Sequence, residues 1–223
     1  VSLSRRFNLS SPNIFEQASR ADLGLGEQAA FNEASHRPEV VTWAKEKFGD
    51  RTAPDGSTVW QNFTEWFGDS KVVDADGKPL VVYHGGNFDF INAPKDKAMF
   101  SLKGASGFKA PDSKIGFFFT PNKDVANMYS HMAYGYSTLD SPLEPVAIYL
   151  RVKNPLRMSY EEWKQIKDWG SLPNQKYKTA AQSKKAFEVL KENAVANKHD
   201  GFIVGDGSKQ EIIAFEPTQI KSA

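Results

Sequence analysis

The 223-residue chain contains no cysteine, which excludes disulfides, thiol nucleophiles, thiolate zinc sites and iron–sulfur clusters. The compartment stays open, because a chain without Cys suits a reducing cytosol as well as an oxidising exterior. No charge sign is in surplus: 28 Lys and Arg stand against 27 Asp and Glu, a formal +1. That balance does not commit the chain to nucleic acid or to an anionic membrane, although a local basic face is compatible with it. Long apolar runs are missing too. Ile115 to Thr120 and Val146 to Leu150 fall far below the ~18 residues that span a bilayer, so no membrane partner is expected. The four histidines, His36, His84, His131 and His199, stand apart with no second His or Glu at the spacing of a zinc helix, and no metal is expected. There is no Gly-x-Ser-x-Gly elbow, no phosphate-cradling Gly-x-x-x-x-Gly-Lys-Ser/Thr loop and no Gly-x-Gly-x-x-Gly after a strand. Serine hydrolysis and dinucleotide binding of the Rossmann kind therefore find no support.

What is present is enough apolar sequence for a buried core, 40% hydrophobic against 25% charged residues. The first residue is Val, and Val1 to Leu9 lacks the apolar centre of a signal peptide; the chain reads as an excerpt or a processed form. The first 68 residues read as helical. Ser11-Pro12 is a helix start. A helix is predicted from Pro38 to Phe48, with Val40, Val41, Ala44 and Phe48 on one face and Gly49 as its stop. Thr58 with Gln61 forms a capping-box pattern ahead of Phe63, Trp66 and Phe67, aromatics at helical spacing that read as core. From Lys71 the period becomes that of strands. Lys71 to Val73 and Leu80 to Tyr83 flank Asp74-Ala75-Asp76-Gly77, a hairpin signal. Residues 87 to 114 lack a period and read as a lid or binding loop. An apolar run at Ile115 to Phe119, a helix at about Asn122 to Tyr134 and a strand at Val146 to Val152 follow. Helices from Ser159 with Glu162 and from Ala180 to Asn197 come next, then strands at Gly201 to Val204 and Glu211 to Phe215. Short strands joined by hairpins as well as helices imply an α+β fold with a mixed sheet.

Three segments can carry chemistry. Strand Val81-Val82-Tyr83 ends in His84-Gly85-Gly86. There the imidazole either caps its own turn or donates to a ligand hydroxyl, and the glycines let a flat ligand approach the backbone. In Gly116-Phe117-Phe118-Phe119-Thr120-Pro121, followed by a helix with Tyr129, the aromatics either pack a core or sandwich a planar cationic ring. Glu211 opens the apolar strand Glu211-Ile212-Ile213-Ala214-Phe215 and is either a solvated edge residue or a carboxylate aimed at a ligand.

In this order and spacing the segments resemble ADP-ribosyltransferases of the His-Tyr-Glu type, shared by diphtheria-like toxins and poly-ADP-ribose polymerases. His84-Gly85-Gly86 matches the family's His-Gly-Ser/Thr. Gly116 to Thr120 with Tyr129 matches its Gly-Ile-Tyr-Phe-Ala strand and second Tyr, and Glu211 to Ile220 matches its closing Glu strand. The phrases Phe67 to Val73, Gly77 to Gly85 and Phe215 to Ala223 are similar to the ADP-ribosyltransferase domains of phage and mobile-element polyvalent proteins. The resemblance covers about residues 60 to 223.

It implies a split, mixed and mostly antiparallel sheet flanked by helices. Residues 70–223 would be the catalytic domain, and 1–69 a helical N-terminal extension for substrate recognition. It implies NAD as substrate, no metal, and transfer of one ADP-ribose to a macromolecule, a protein acceptor before a nucleic-acid one, in the cytoplasm of a bacterial or host cell. An NAD glycohydrolase toxin and an inactive binding module of the same fold are the alternatives. Glu211 would hold the nicotinamide ribose and His84 the adenosine ribose. The backbone of Gly85 would pair with the nicotinamide amide, and Phe118 and Tyr129 would stack on the ring. Gly86 stands where the family has a ribose-binding hydroxyl, Phe118 where it has its first Tyr, and Ala126 where the polymerases have a Ser. Lys209 stands where arginine-modifying toxins carry Glu or Gln, which argues against an arginine acceptor.

Overall fold

The computed structural model describes residues 31–86, 112, 115–134, 144–167 and 179–223. The Ser11-Pro12 helix start and nearly all of the 87–114 loop lie outside them. The chain divides into two compact units, one reaching to Trp66 and the other from Phe67 to Ala223.

In the first unit, α1 spans Pro38–Phe48. Pro38 fits its first turn because an amide there has no helical partner. Gly49 closes it at φ 56°, its N–H donating to the Lys45 carbonyl, a conformation that L side chains resist. Val40, Val41 and Ala44 are buried, as their spacing implies. α2 spans Val59–Phe67. Its expected capping box meets side chain to side chain, with the Thr58 hydroxyl donating to Gln61 Oε1 at 2.5 Å. Phe63 packs within 5.1 Å of Phe48 and 5.2 Å of Trp43 between ring centroids, and Phe63 and Trp66 are buried. These aromatics are core, not a site.

The second unit opens with the expected turn, closed by a single Val73–Pro79 bridge and not by two paired strands, since Val82–His84 pairs elsewhere. Asp74 Oδ1 accepts from the Asp76 and Lys78 amides at 2.9 Å each, and Gly77 turns the chain at φ 79°. Its elements are β1 (Val82–His84), β2 (Phe117–Phe119), α3 (Lys123–Tyr134), β3 (Val146–Leu150), β4 (Pro155–Met158), α4 (Tyr160–Lys167), α5 (Ala180–Ala196), β5 (Gly201–Val204), β6 (Glu211–Ala214) and β7 (Ile220–Ser222). One sheet has the order β1-β3-β7, the other β2-β6-β5-β4. All pairs are antiparallel except β4 with β5. A Tyr83–Thr120 bridge links the two sheets. This is the split α+β architecture expected from the sequence.

Alternation sorts the strand side chains into two layers. Phe117, Phe119, Ile212 and Ala214 join Val82, Ile148, Leu150 and Ile220 in a core shared by both sheets. Phe118 and Ile213 face the other way, toward Trp163 of α4 and Phe187 of α5. Full burial of side chains of this size contributes about 1.5–3 kcal/mol each. Ser70 ties the turn segment to β3: its hydroxyl donates to the Leu150 carbonyl at 2.6 Å and accepts from the amides of Val72 and Val152.

Strands β4 and β7 were not anticipated. Pro155-Leu156-Arg157-Met158 is short, opens on a residue without an amide proton, and is tolerated because β4 is an edge strand. Ile220-Lys221-Ser222 carries too little pattern to read; it is set in place by Gln219, whose side-chain amide donates to the carbonyls of Arg151 and Asp200. Among the described residues no helix is long and apolar enough to cross a membrane.

Candidate functional site

The site begins where β1 ends. His84 Nδ1 lies 2.7 Å from the Phe118 carbonyl oxygen. A carbonyl only accepts, so Nδ1 carries the proton. Burial lowers the His84 pKa, opposed by the Phe118 carbonyl. The Nδ1 donor of His84 is thus used inside the protein, by the Phe118 carbonyl of β2. The unfolded imidazole titrates near 6.5 and the folded one lower, so as pH falls the unfolded chain takes up the proton first. Stability is then lost below that value. Denaturation midpoints at pH 7 and pH 5 test this: His84→Gln is expected to lose less stability on acidification than the wild type, and an equal loss contradicts it.

Gly85 and Gly86 follow, packed on α3. A Cβ on Gly85 would lie 1.7 Å from the Ala126 carbonyl oxygen, and the Gly86 amide donates to Ser130 Oγ at 3.3 Å. The side-chain direction of Gly85 is thus filled by helix backbone. The missing Cβ at this position serves helix docking, where the sequence suggested approach of a flat ligand. Ala126, at the position matched to a Ser in the polymerases, is 1% exposed beneath that contact.

α3 starts where the Asn122 side chain accepts from the amides of Asp124 and Val125, and it carries Tyr129. Burial raises the Tyr129 pKa, with Lys167 opposing and Glu211, Asp112 and Tyr160 adding to the rise. Tyr129 and Glu211 therefore share one electrostatic neighbourhood.

Glu211 is the first residue of β6, opposite Val204 of β5. Alternation places it on the same sheet face as Ile213 and, across the β2–β6 pair, Phe118. The Phe118 ring is backed by Trp163, with centroids 6.3 Å apart. Glu211 Oε1 lies 3.9 Å from Lys167 Nζ, and Lys167 Nζ lies 3.3 Å from Asp112 Oδ2. Glu211 Oε2 is buried and has no hydrogen-bond partner among the described residues. Burial raises the Glu211 pKa, Lys167 opposes the rise and Asp112 adds to it. A desolvated carboxylate oxygen without a donor is costly, and the cost is relieved when a ligand hydroxyl donates to it.

The structure thus puts Phe118 and Glu211 on one face of the β2–β6 pair, with Tyr129 in electrostatic reach of Glu211 and His84 tied to β2 through the Phe118 carbonyl. Asp112, Lys167 and Ser130 were missed in the sequence. Lys167 has the only faint signal, lying one helical turn after Trp163. Among the described residues there is no group of three or more His, Asp or Glu that could hold a metal ion. A groove of about 490 Å³ along α5, lined by Ile115, Phe187, Lys191 and Val195 among others, contains none of the residues above.

No curated protein and no solved structure matches the chain. Residues 74–223 match the family described as ADP-ribosyltransferase in polyvalent proteins. The match runs from the turn at Asp74 to the last residue, takes in β1 through β7 with His84, Tyr129 and Glu211, and covers more than half of the chain. The chain belongs to the ADP-ribosyltransferase family of polyvalent proteins.

Proposed function

We propose that the chain cleaves NAD between nicotinamide and ribose and passes one ADP-ribose to a protein acceptor. The observation behind this reading is the buried Oε2 of Glu211, which has no hydrogen-bond partner among the described residues, in a family whose substrate is NAD. In the reaction the bond from ribose C1′ to the pyridinium nitrogen breaks and its electron pair stays on nitrogen, releasing neutral nicotinamide. Positive charge develops on the ribose, as in glycoside hydrolysis, and a nearby carboxylate stabilises it. Glu211 would supply that charge while Oε2 accepts from the 2′-hydroxyl. Its raised pKa suits it to take the proton that the acceptor gives up on bonding to C1′.

His84 would hold the adenosine ribose and so orient the dinucleotide. The backbone of Gly85 would pair with the nicotinamide amide, and Phe118 and Tyr129 would stack on the cationic ring. Transfer of a single unit is preferred, since no site for a growing polymer is identified among the described residues. Lys209, exposed ahead of β6, disfavours an arginine acceptor. The catalytic domain would comprise 70–223 and the segment 1–69 would serve recognition, in a phage- or effector-type protein acting in the cytoplasm of a bacterial or host cell.

The test is incubation with a cell lysate and NAD labelled in its adenine. Label on macromolecules that protease removes supports the reading. Label removed only by nuclease reassigns the acceptor to nucleic acid. Free ADP-ribose forming as fast as nicotinamide makes the chain an NAD glycohydrolase. Folded protein that neither binds nor consumes NAD is a binding module, and the reading fails.

A further inference from the structure

We propose that Lys167 is a positioning residue for Glu211 and that Asp112 neutralises it, so that an ammonium group orients the carboxylate without cancelling its charge. This rests on the reading of Glu211 as the carboxylate that faces the ribose.

The geometry is a chain of three charges. Lys167 ends α4, and Trp163, one turn earlier and fully buried, anchors the helix so that the ammonium is delivered to the start of β6. There Lys167 Nζ is closer to Asp112 Oδ2, at 3.3 Å, than to Glu211 Oε1, at 3.9 Å. Asp112 is 5% exposed, so its charge is poorly screened by solvent and remains effective on the ammonium. Oε1 lies within ion-pair distance of Lys167, so the ammonium acts on one oxygen of the carboxylate and thereby sets its orientation.

The charges also have a required balance. A bare ammonium beside Glu211 would oppose positive charge on the ribose. Two carboxylates around one ammonium leave a net −1, the sign that the transition state needs. Among the described residues, the titratable groups around Glu211 are Lys167 of α4, Asp112 ahead of β2 and Tyr129 of α3, with Tyr160 of α4 acting on Tyr129. Removing the cation or its neutralising partner must therefore move the Glu211 titration in opposite directions, a pattern that a merely structural role does not produce.

The experiment is a carbon-13 NMR titration of the Glu211 side-chain carboxyl in the purified full chain, paired with nicotinamide release as a function of pH. Lys167→Met is expected to raise the Glu211 midpoint by about one pH unit, and Asp112→Asn to lower it by a similar amount. Both are expected to slow release at least ~10-fold, with the acidic limb of the kcat profile following the midpoint. Lys167→Arg is expected to restore the midpoint and most of the rate. Unchanged midpoints in both neutralising variants overturn the proposal. If Lys167→Met fails to fold, the near-isosteric Asp112→Asn decides it. The midpoints are read without substrate, so absence of nicotinamide release from the wild type refutes NAD cleavage and leaves the charge arrangement to be judged by the titration.

Discussion

Glu211→Gln is expected to slow nicotinamide release about 100- to 1,000-fold, the range seen when one preorganised electrostatic contact to a transition state is removed. The amide keeps the shape of the side chain and loses the negative charge, so nothing remains to stabilise positive charge on the ribose. The same substitution should leave the protein as stable as before, or more so. Burial raises the Glu211 pKa above its ordinary 4.5, so ionisation costs the folded state free energy, and that cost appears as pH rises past 4.5 through the folded value. Gln removes the cost at pH 7. A thermal melt at neutral pH therefore separates loss of chemistry from loss of fold: the variant is expected to melt at or above the wild type while losing activity, as at other sites where function is held at the expense of stability. Activity within threefold of the wild type removes this carboxylate from the chemistry.

Gly85→Ala is expected to be the most damaging single methyl group in the second unit. Its Cβ would lie 1.7 Å from the Ala126 carbonyl oxygen and 2.6 Å from the carbonyl carbon, and both obstacles are helix backbone, which cannot swing aside as a side chain can. Either α3 lifts or the end of β1 shifts. His84 sits on one and Tyr129 on the other, so either movement separates two proposed ligand contacts. Overpacking of this kind costs about 1–3 kcal/mol, occasionally more. Denaturant titration is expected to show that loss, and calorimetry a loss of NAD binding in the fraction that remains folded. A variant as stable as the wild type would mean that α3 does not press on Gly85.

The parts of the fold that were legible in the sequence are those with local punctuation. Pro38 and Gly49 bracket α1 residue for residue. Ser159 and Glu162 close a reciprocal box in which the Ser159 amide donates to Glu162 Oε2 and the Glu162 amide to Ser159 Oγ. β4 and β7 had no such marks, because their pairing is decided by partners far along the chain: Pro155 with Gly201 and Lys221 with Tyr149.

The site divides in the same way. His84, Tyr129 and Glu211 could be picked out because each stands at a strand end or on the helix that follows a strand. The charged environment of Glu211 could not be. Asp112 and Lys167 belong to separate segments that meet only when α4 is laid on β5 and β6. The place of His84 was legible but the hold on its ring was not, because it comes from the carbonyl of Phe118, 34 residues away.

The most direct measurement is nicotinamide release from NAD by the purified chain, with its fold first verified by circular dichroism and with Glu211→Gln measured beside it. The account predicts release over many turnovers once a macromolecular acceptor is supplied, and its near loss in the variant. Folded wild-type protein that releases no nicotinamide in the presence of acceptor, or a variant that releases it as fast as the wild type, contradicts it.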